Sequence, residues 1–158
     1  MTQTLTIALL VAATAADGIL TGASLDQSIK QLPARHRMGV IAFSVYSRAS
    51  DLGPGIIWYA ILGIGAALLT VAAAIAALFQ GAAAIHAWPI YIAASLTVLH
   101  SFTTSRAAPT NFQQRKVPND EAALAAIFNR FEHWQTVRAI LQALTFATTL
   151  WALVTYVS

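Results

Sequence analysis

Residues 55–79 form an apolar stretch without a single charged side chain, and this feature constrains the fold more than any other. A membrane-spanning α-helix needs ~20 consecutive, mostly apolar residues to cross the hydrocarbon core of a bilayer. The stretch meets that requirement. The rest of the chain has the same character, since 58% of the 158 residues are hydrophobic and 9% are charged, whereas soluble domains carry about 25% charged residues. We therefore expect the chain to fold in lipid.

Three further segments have the length and composition of a membrane span. They are residues 5–23, 87–102 and 137–157. The first could be a cleaved signal peptide, but its start, MTQT, lacks the basic residues that signal peptides usually have, so we expect a retained helix. The sequence predicts an all-α fold, a four-transmembrane-helix bundle in which residues 1–158 form one integral membrane domain.

Basic residues are concentrated in two of the segments between the predicted spans. The first segment contains Lys30, Arg35, Arg37 and Arg48, and the second contains Arg106, Arg115, Lys116 and Arg130. Segments rich in Lys and Arg remain on the cytoplasmic side of a membrane. We therefore expect an inner-membrane protein whose two termini and short link at 80–86 face outward.

The first cytoplasmic segment is predicted to be partly helical. Apolar residues recur at helical spacing between residues 34 and 50, which indicates an interfacial helix at the cytoplasmic surface. The run DLGPG at 51–55 contains the turn residues that end such a helix and begin the next.

The second cytoplasmic segment is predicted to have two parts. Residues 103–118 contain two prolines and are expected to form an irregular loop. Asn119 or Asp120 can then cap a last helix that extends without interruption from about residue 120 to 156. This helix is longer than a bilayer core requires, so its first turns should project into the cytoplasm.

Ionisable groups inside the spans are costly in lipid and usually face other helices. Asp17 shares a polar stripe with Thr14, Thr21 and Ser24, and His100 shares one with Thr97, Ser101 and Thr104. Arg138 lies in the row of residues, spaced three and four apart, that forms the apolar face of the last helix. These patterns predict a polar pocket at the cytoplasmic end of the bundle. Its predicted members are Asp17, Arg48, Asp51, His100, Glu132, His133 and Arg138.

This pocket has more than one interpretation. As a catalytic or ligand site, His100 or His133 would move a proton and Arg138 would hold an anionic oxygen, with Asp17 or Asp51 as its partner. Alternatively, the same groups form a buried ion-pair network that fixes the helix register. A metal site from the two histidines and a carboxylate is a third interpretation, although no motif fixes its geometry.

Several short motifs carry a resemblance to a known family. They are QLPARHRMG, YSRASDLGPGIIWYA, PTNF and HWQTVRAILQALTF. Together they resemble the anthrone-oxygenase-like family of small four-helix membrane proteins, over most of the chain. Pro109 and Asn111 are similar to a proline–asparagine feature of the family's third loop, and His133 and Arg138 to a polar pair at the start of its last helix. The resemblance implies the four-helix fold and adds Asn111 and Trp134 to the candidate site.

Two functions follow as hypotheses. The first is an oxidoreductase or oxygenase that acts on a lipophilic aromatic substrate, as the resemblance implies, with His100, His133 and Arg138 as catalytic residues. The second is a non-catalytic module that binds a lipid or quinone, or that serves a larger complex. The cofactor stays open, although the absence of cysteine excludes thiolate chemistry. No nucleic-acid-binding surface is expected. The small residues of the second span indicate close helix packing within the bundle or, alternatively, an oligomer interface.

Overall fold

In a computed structural model that describes residues 3–157, the chain consists of five helices joined by short turns. They are α1 (Gln3–Met38), α2 (Val40–Ala49), α3 (Gly55–Gln80), α4 (Ala84–Phe112) and α5 (Glu121–Val157). The described residues contain no β-strand, so the predicted all-α class is confirmed. Within α1, residues Gln27–Gln31 have π-helical hydrogen bonding.

Three of the helices, α1, α3 and α5, are long and apolar enough to cross a membrane. The predicted third span, residues 87–102, lies inside α4. That helix is long, but serine, threonine and histidine residues interrupt its apolar sequence and Arg106 follows. The number of spans therefore stays a prediction.

Two apolar clusters hold the bundle together, one toward each end. Near the α3–α4 link, Ala73 and Ala77 of α3 pack with Leu10, Ile90 and Tyr156 from the neighbouring helices. Small residues allow helices to approach closely, which increases the number of van der Waals contacts. The second cluster lies at the opposite end and contains Leu32, Phe43, Ala107, Leu124, Phe128 and Phe131.

The predicted helix at 34–50 is divided in two. Residues 34–38 belong to the end of α1, and α2 begins after Gly39. Gly39 has φ 83° and ψ 149°, a conformation that is essentially restricted to glycine, because a Cβ atom would clash with the backbone. The chain therefore changes direction at Gly39. The predicted turn before α3 is confirmed at residues 50–54.

The irregular loop predicted at 103–118 is wrong. Here α4 continues to Phe112 with Pro109 inside it, and a 3₁₀ turn, Gln113–Lys116, follows. A proline removes one helical hydrogen bond but does not end a helix whose packing is favourable. The residues with buried side chains, Ala107, Thr110, Asn111 and Gln114, recur at helical spacing and supply that packing.

The long last helix is confirmed. It extends from Glu121 to Val157, and an oxygen of the Asp120 side chain accepts a hydrogen bond of 2.9 Å from the backbone N–H of Ala123. This contact satisfies a backbone donor that has no partner within the helix. Asp120, one of the two predicted capping residues, is therefore the residue that caps α5.

Candidate functional site

A cavity of about 750 Å³ lies between α3 and α4, at the end of the bundle far from their link. Most of its wall is apolar and comes from these two helices, and α1, α5 and the turn before α3 contribute the rest. The polar side chains along it are Gln27, Asp51, Tyr59, His100, Ser101, Thr104, Ser105, Asn111, Arg138 and Gln142. Four of the predicted site residues, Asp51, His100, Asn111 and Arg138, therefore line one cavity.

Part of the cavity wall is apolar and reaches the outer surface of the bundle. Ile64 and Leu68 of α3 line it and are 62% and 66% exposed. Phe112 lines it from the α4 side. An apolar opening between two helices suits a hydrophobic molecule, because such a molecule loses no hydration of polar groups when it enters.

His100 projects from α4 and is only 2% exposed, yet neither of its ring nitrogens has a hydrogen-bond partner. Its own carbonyl oxygen accepts hydrogen bonds from the hydroxyls of Thr103 and Thr104 at 2.7 and 2.9 Å. A neutral imidazole offers one donor and one acceptor. Since an unpaired buried polar group is unfavourable, a molecule in the cavity that bonds to this ring would be stabilised.

Arg138 brings a positive charge to the same cavity. Its Nη2 donates to Oε1 of Gln27 at 3.3 Å, whereas its Nε has no partner. Oε1 of Gln142, one turn further along α5, is also buried without a partner. Arg138 forms no ion pair among residues 3–157. The guanidinium is therefore available to an oxygen acceptor on a bound molecule.

Asp51 lies in the turn before α3, and Gln27 connects it to Arg138. The Asp51 Oδ2 accepts hydrogen bonds from Nε2 of Gln27 at 3.2 Å and from the hydroxyl of Ser47 at 3.4 Å. Burial raises the pKa of the Asp51 carboxyl, and the hydrogen bonds from Gln27 and Ser47 and the charge of Arg138 oppose that change. Gln27 therefore holds one donor and one acceptor of the site in place.

A chain of amide and hydroxyl groups supports the side of the cavity at Asn111. Gln114 donates to Oδ1 of Asn111 at 2.7 Å and to Oγ of Ser47 at 3.2 Å, and it accepts from the hydroxyl of Ser44 at 3.0 Å. Because Gln114 is buried and uses both its oxygen and its nitrogen, it fixes the end of α4 against α2.

Sequence reasoning missed both glutamines. Gln27 continues the polar stripe of α1, three residues beyond Ser24, and that spacing could have revealed it. Gln114 lay in the segment predicted as an irregular loop. An irregular loop has no helical spacing that would assign its side chain to a buried face.

The predicted partnership of Asp17 and Arg138 is wrong. Asp17 is buried on α1 and its Oδ2 accepts a hydrogen bond of 3.1 Å from the hydroxyl of Thr70, away from the cavity. Arg138 instead contacts Gln27, which lies roughly 15 Å further along α1 than Asp17 does. The polar stripe faces the other helices as predicted, but it spans several helical turns and its members lie at different depths.

Glu132 and Arg48 also lie outside the cavity. Glu132 forms an ion pair with Arg35, with an N–O distance of 2.5 Å. Arg48 donates from its Nε to the backbone carbonyl of Ser44 at 3.3 Å, within α2. Neither side chain lines the cavity, so their placement in the predicted pocket is wrong. Arg35, for which the sequence indicated only a role in topology, is buried at this end of the bundle.

His133 and Trp134 do not line the cavity either. His133 is exposed, and its ring lies 5.6 Å from the ring of Trp134. Successive residues of a helix point about 100° apart. For that reason His133, five residues before Arg138, lies on another face of α5. Trp134, four residues before Arg138, lies close to the Arg138 face but outside the cavity lining. The described residues hold no cluster of three or more metal-ligating side chains, so the metal site from His100 and His133 is wrong.

Fold and cavity together define a class: an all-helical protein with three helices able to cross a membrane, and a side-opening cavity with a polar wall. Comparison of the chain with protein-family models, with curated proteins and with solved structures gave no significant match. The resemblance to the anthrone-oxygenase-like family therefore stays a prediction.

Proposed function

We propose that this chain is a four-span inner-membrane protein that binds a lipophilic, oxygen-bearing molecule taken from the bilayer. In this proposal α4 crosses the membrane in addition to α1, α3 and α5, and both termini face outward, while α2 lies at the cytoplasmic surface. The concentration of Lys and Arg near α2 and the α4–α5 connection supports this orientation. The cavity would then open sideways into the inner leaflet.

One observation carries the binding proposal: the wall of a mostly apolar cavity includes residues whose buried polar atoms have no partner among the described residues. These atoms are both ring nitrogens of His100, the Nε of Arg138 and the Oε1 of Gln142. Unpaired buried donors and acceptors lower stability by about 1–3 kcal/mol each. A ligand that offers a matching acceptor and donor would recover this energy, which favours a binding site over a structural network.

The wall of the cavity defines the chemistry of the ligand. A volume of about 750 Å³ accommodates a molecule of several fused rings. Arg138 favours a carbonyl or phenolate oxygen, whereas Gln142 requires a donor such as a hydroxyl. Hydroxylated aromatic ketones and quinones have this combination on an apolar body.

Direct binding tests the proposal. The protein in mild detergent is titrated with a hydroxyanthraquinone and, separately, with anthracene, which has the same ring body without oxygen. We expect the hydroxyanthraquinone to bind more tightly, and Arg138→Gln to weaken it about tenfold or more, because a charge-assisted hydrogen bond is lost. His100→Gln should also weaken binding. His133→Gln is the matched control, since it makes the same substitution at an exposed histidine. Equal binding of the two ring compounds would contradict the proposal.

A second function, the oxidation of such a ligand, is favoured by the presence of His100 and Arg138 on the same cavity wall. An unpaired imidazole can accept a proton, and a guanidinium can stabilise the oxyanion that results. For an anthrone, His100 would take a proton from the ring CH₂ and Arg138 would hold the enolate oxygen. Reaction of the enolate with O₂ then gives the quinone and one water for each O₂ consumed.

Oxygen uptake with anthrone separates this function from binding alone. If the protein is an oxygenase of this kind, one O₂ is consumed per quinone formed, and His100→Gln reduces the rate by about 10²–10⁴-fold. His133→Gln should leave the rate unchanged. If the quinone binds as proposed but anthrone is oxidised no faster than in detergent alone, the protein is a binding module.

A further inference from the structure

A second groove, of about 520 Å³, lies on the outer face of α4 and α5. Ser105 and Pro109 separate it from the cavity, because they line both. Its other lining residues are Phe102, Arg106, Thr110, Arg130 and Trp134. None of the groups proposed to contact the cavity ligand reaches it. The groove is therefore a separate site, and an inference about it rests on the four-span orientation proposed above but not on the cavity ligand.

Two exposed arginines, Arg106 and Arg130, border the groove, and neither forms an ion pair within residues 3–157. The guanidinium of Arg106 lies over the ring of Phe102, 5.2 Å from its centre. Each of the six acidic residues of the chain has another hydrogen-bond or ion-pair partner or is exposed elsewhere. Asp17 accepts from Thr70, Asp26 pairs with Lys30, Asp51 accepts from Gln27, Asp120 caps α5, Glu132 pairs with Arg35, and Glu121 is exposed in the first turn of α5. Within the described part of the chain, no acidic side chain therefore balances the two positive charges of the groove.

The groove combines this charge with aromatic surface. Phe102 is 54% exposed and marks the end of the apolar half of α4. Trp134 is half-buried on α5 and presents its ring to the same groove. Tryptophan is enriched where the hydrocarbon core meets the headgroups, and arginine favours the headgroup side of that boundary. The arrangement fits a ligand with an anionic head and an apolar body.

We propose that this groove binds an anionic phospholipid of the inner leaflet. The guanidinium groups of Arg106 and Arg130 donate to the phosphate oxygens, for which the planar arginine fork is well suited. The rings of Phe102 and Trp134 contact the glycerol and the upper acyl chain. A soluble phosphate compound would offer the same charge, but it would leave this aromatic surface uncovered. The lipid therefore fits the groove better.

Native mass spectrometry of the full chain in detergent tests the proposal. The protein is titrated with phosphatidylglycerol and with phosphatidylcholine of the same acyl chains. The test variant is Arg106→Gln/Arg130→Gln. The matched control is Arg37→Gln/Lys116→Gln, which removes the same charge at two exposed positions outside the groove. All four residues are exposed, so both variants should keep the wild-type melting temperature.

We expect phosphatidylglycerol to bind the wild type and the control equally well, and the test variant about 30-fold more weakly. An equal loss in both variants would show diffuse attraction to basic residues and would overturn the proposal. So would equal binding of the two lipids by the wild type. Glycerol phosphate is included as the soluble headgroup. If it competes as well as the intact lipid does, the acyl chain makes no contribution and the site is not a lipid site.

Discussion

Replacement of Arg35 by methionine is the sharpest test of how the end of the bundle beside α2 is held together. Arg35 is 4% exposed at the end of α1 and makes three contacts with α5. Its guanidinium donates to the Phe128 carbonyl at 3.1 Å, to Oδ1 of Asn129 at 2.8 Å and to Oε2 of Glu132 at 2.5 Å. Methionine preserves much of the volume and removes all three.

The magnitude follows from these contacts. Breaking a buried charge pair by removing one partner costs about 3–5 kcal/mol, chiefly because the remaining groups lose their partner. Glu132 is partly exposed and can bind water instead, so we place Arg35→Met near the lower limit, at about 3 kcal/mol. Glu132→Gln should cost less, about 1 kcal/mol, because Arg35 keeps its other two acceptors. The two substitutions share one contact and should therefore be non-additive in the double variant.

The assay is reversible unfolding in mixed micelles, monitored by helix content, for the wild type, both single variants and the double variant. Arg37→Met is the control, because Arg37 lies two residues away and is exposed. It should change the free energy of unfolding by less than about 0.5 kcal/mol. If Arg35→Met and Arg37→Met have the same stability, Arg35 does not join α1 to α5 and the described packing of this end is refuted.

Two further predictions concern the turns on either side of α2. Gly39→Ala should lower the free energy of unfolding by about 1–3 kcal/mol, since φ 83° with ψ 149° is strained for any residue with a Cβ. Gly81→Asn is its control, because the left-handed conformation of Gly81 is one that asparagine tolerates; equal losses would contradict this reasoning. Asp51→Asn should change the pH dependence of stability. The raised pKa of Asp51 in the folded protein means that its stabilising contribution is full below its unfolded pKa and is lost as pH rises through the folded pKa. The free energy of unfolding of the wild type, minus that of Asp51→Asn, should therefore fall with increasing pH, and a constant difference would be inconsistent with a buried carboxyl.

The sequence determined the features that depend on one helix at a time. The apolar stretches predicted helices long enough to cross a membrane, and three are present. Hydrophobic periodicity and the cap at Asp120 predicted the long last helix. The spacing of Asp17 with Thr14, Thr21 and Ser24 predicted a stripe that turns inward, and all four are buried. Burial and period are local properties, because the environment of each helix face follows from its own side chains.

Only the tertiary structure decided which polar groups meet. Arg138 contacts Gln27 and not Asp17, while Glu132 pairs with Arg35, a residue almost a hundred positions earlier in the chain. Pro109 remains inside α4 because the buried face around it packs against α2 and α5, which no local rule for proline anticipates. A periodic sequence specifies the direction in which a side chain points from its own helix. The depth at which it meets another helix depends on how far the two slide along each other, and that is set by packing between residues distant in sequence.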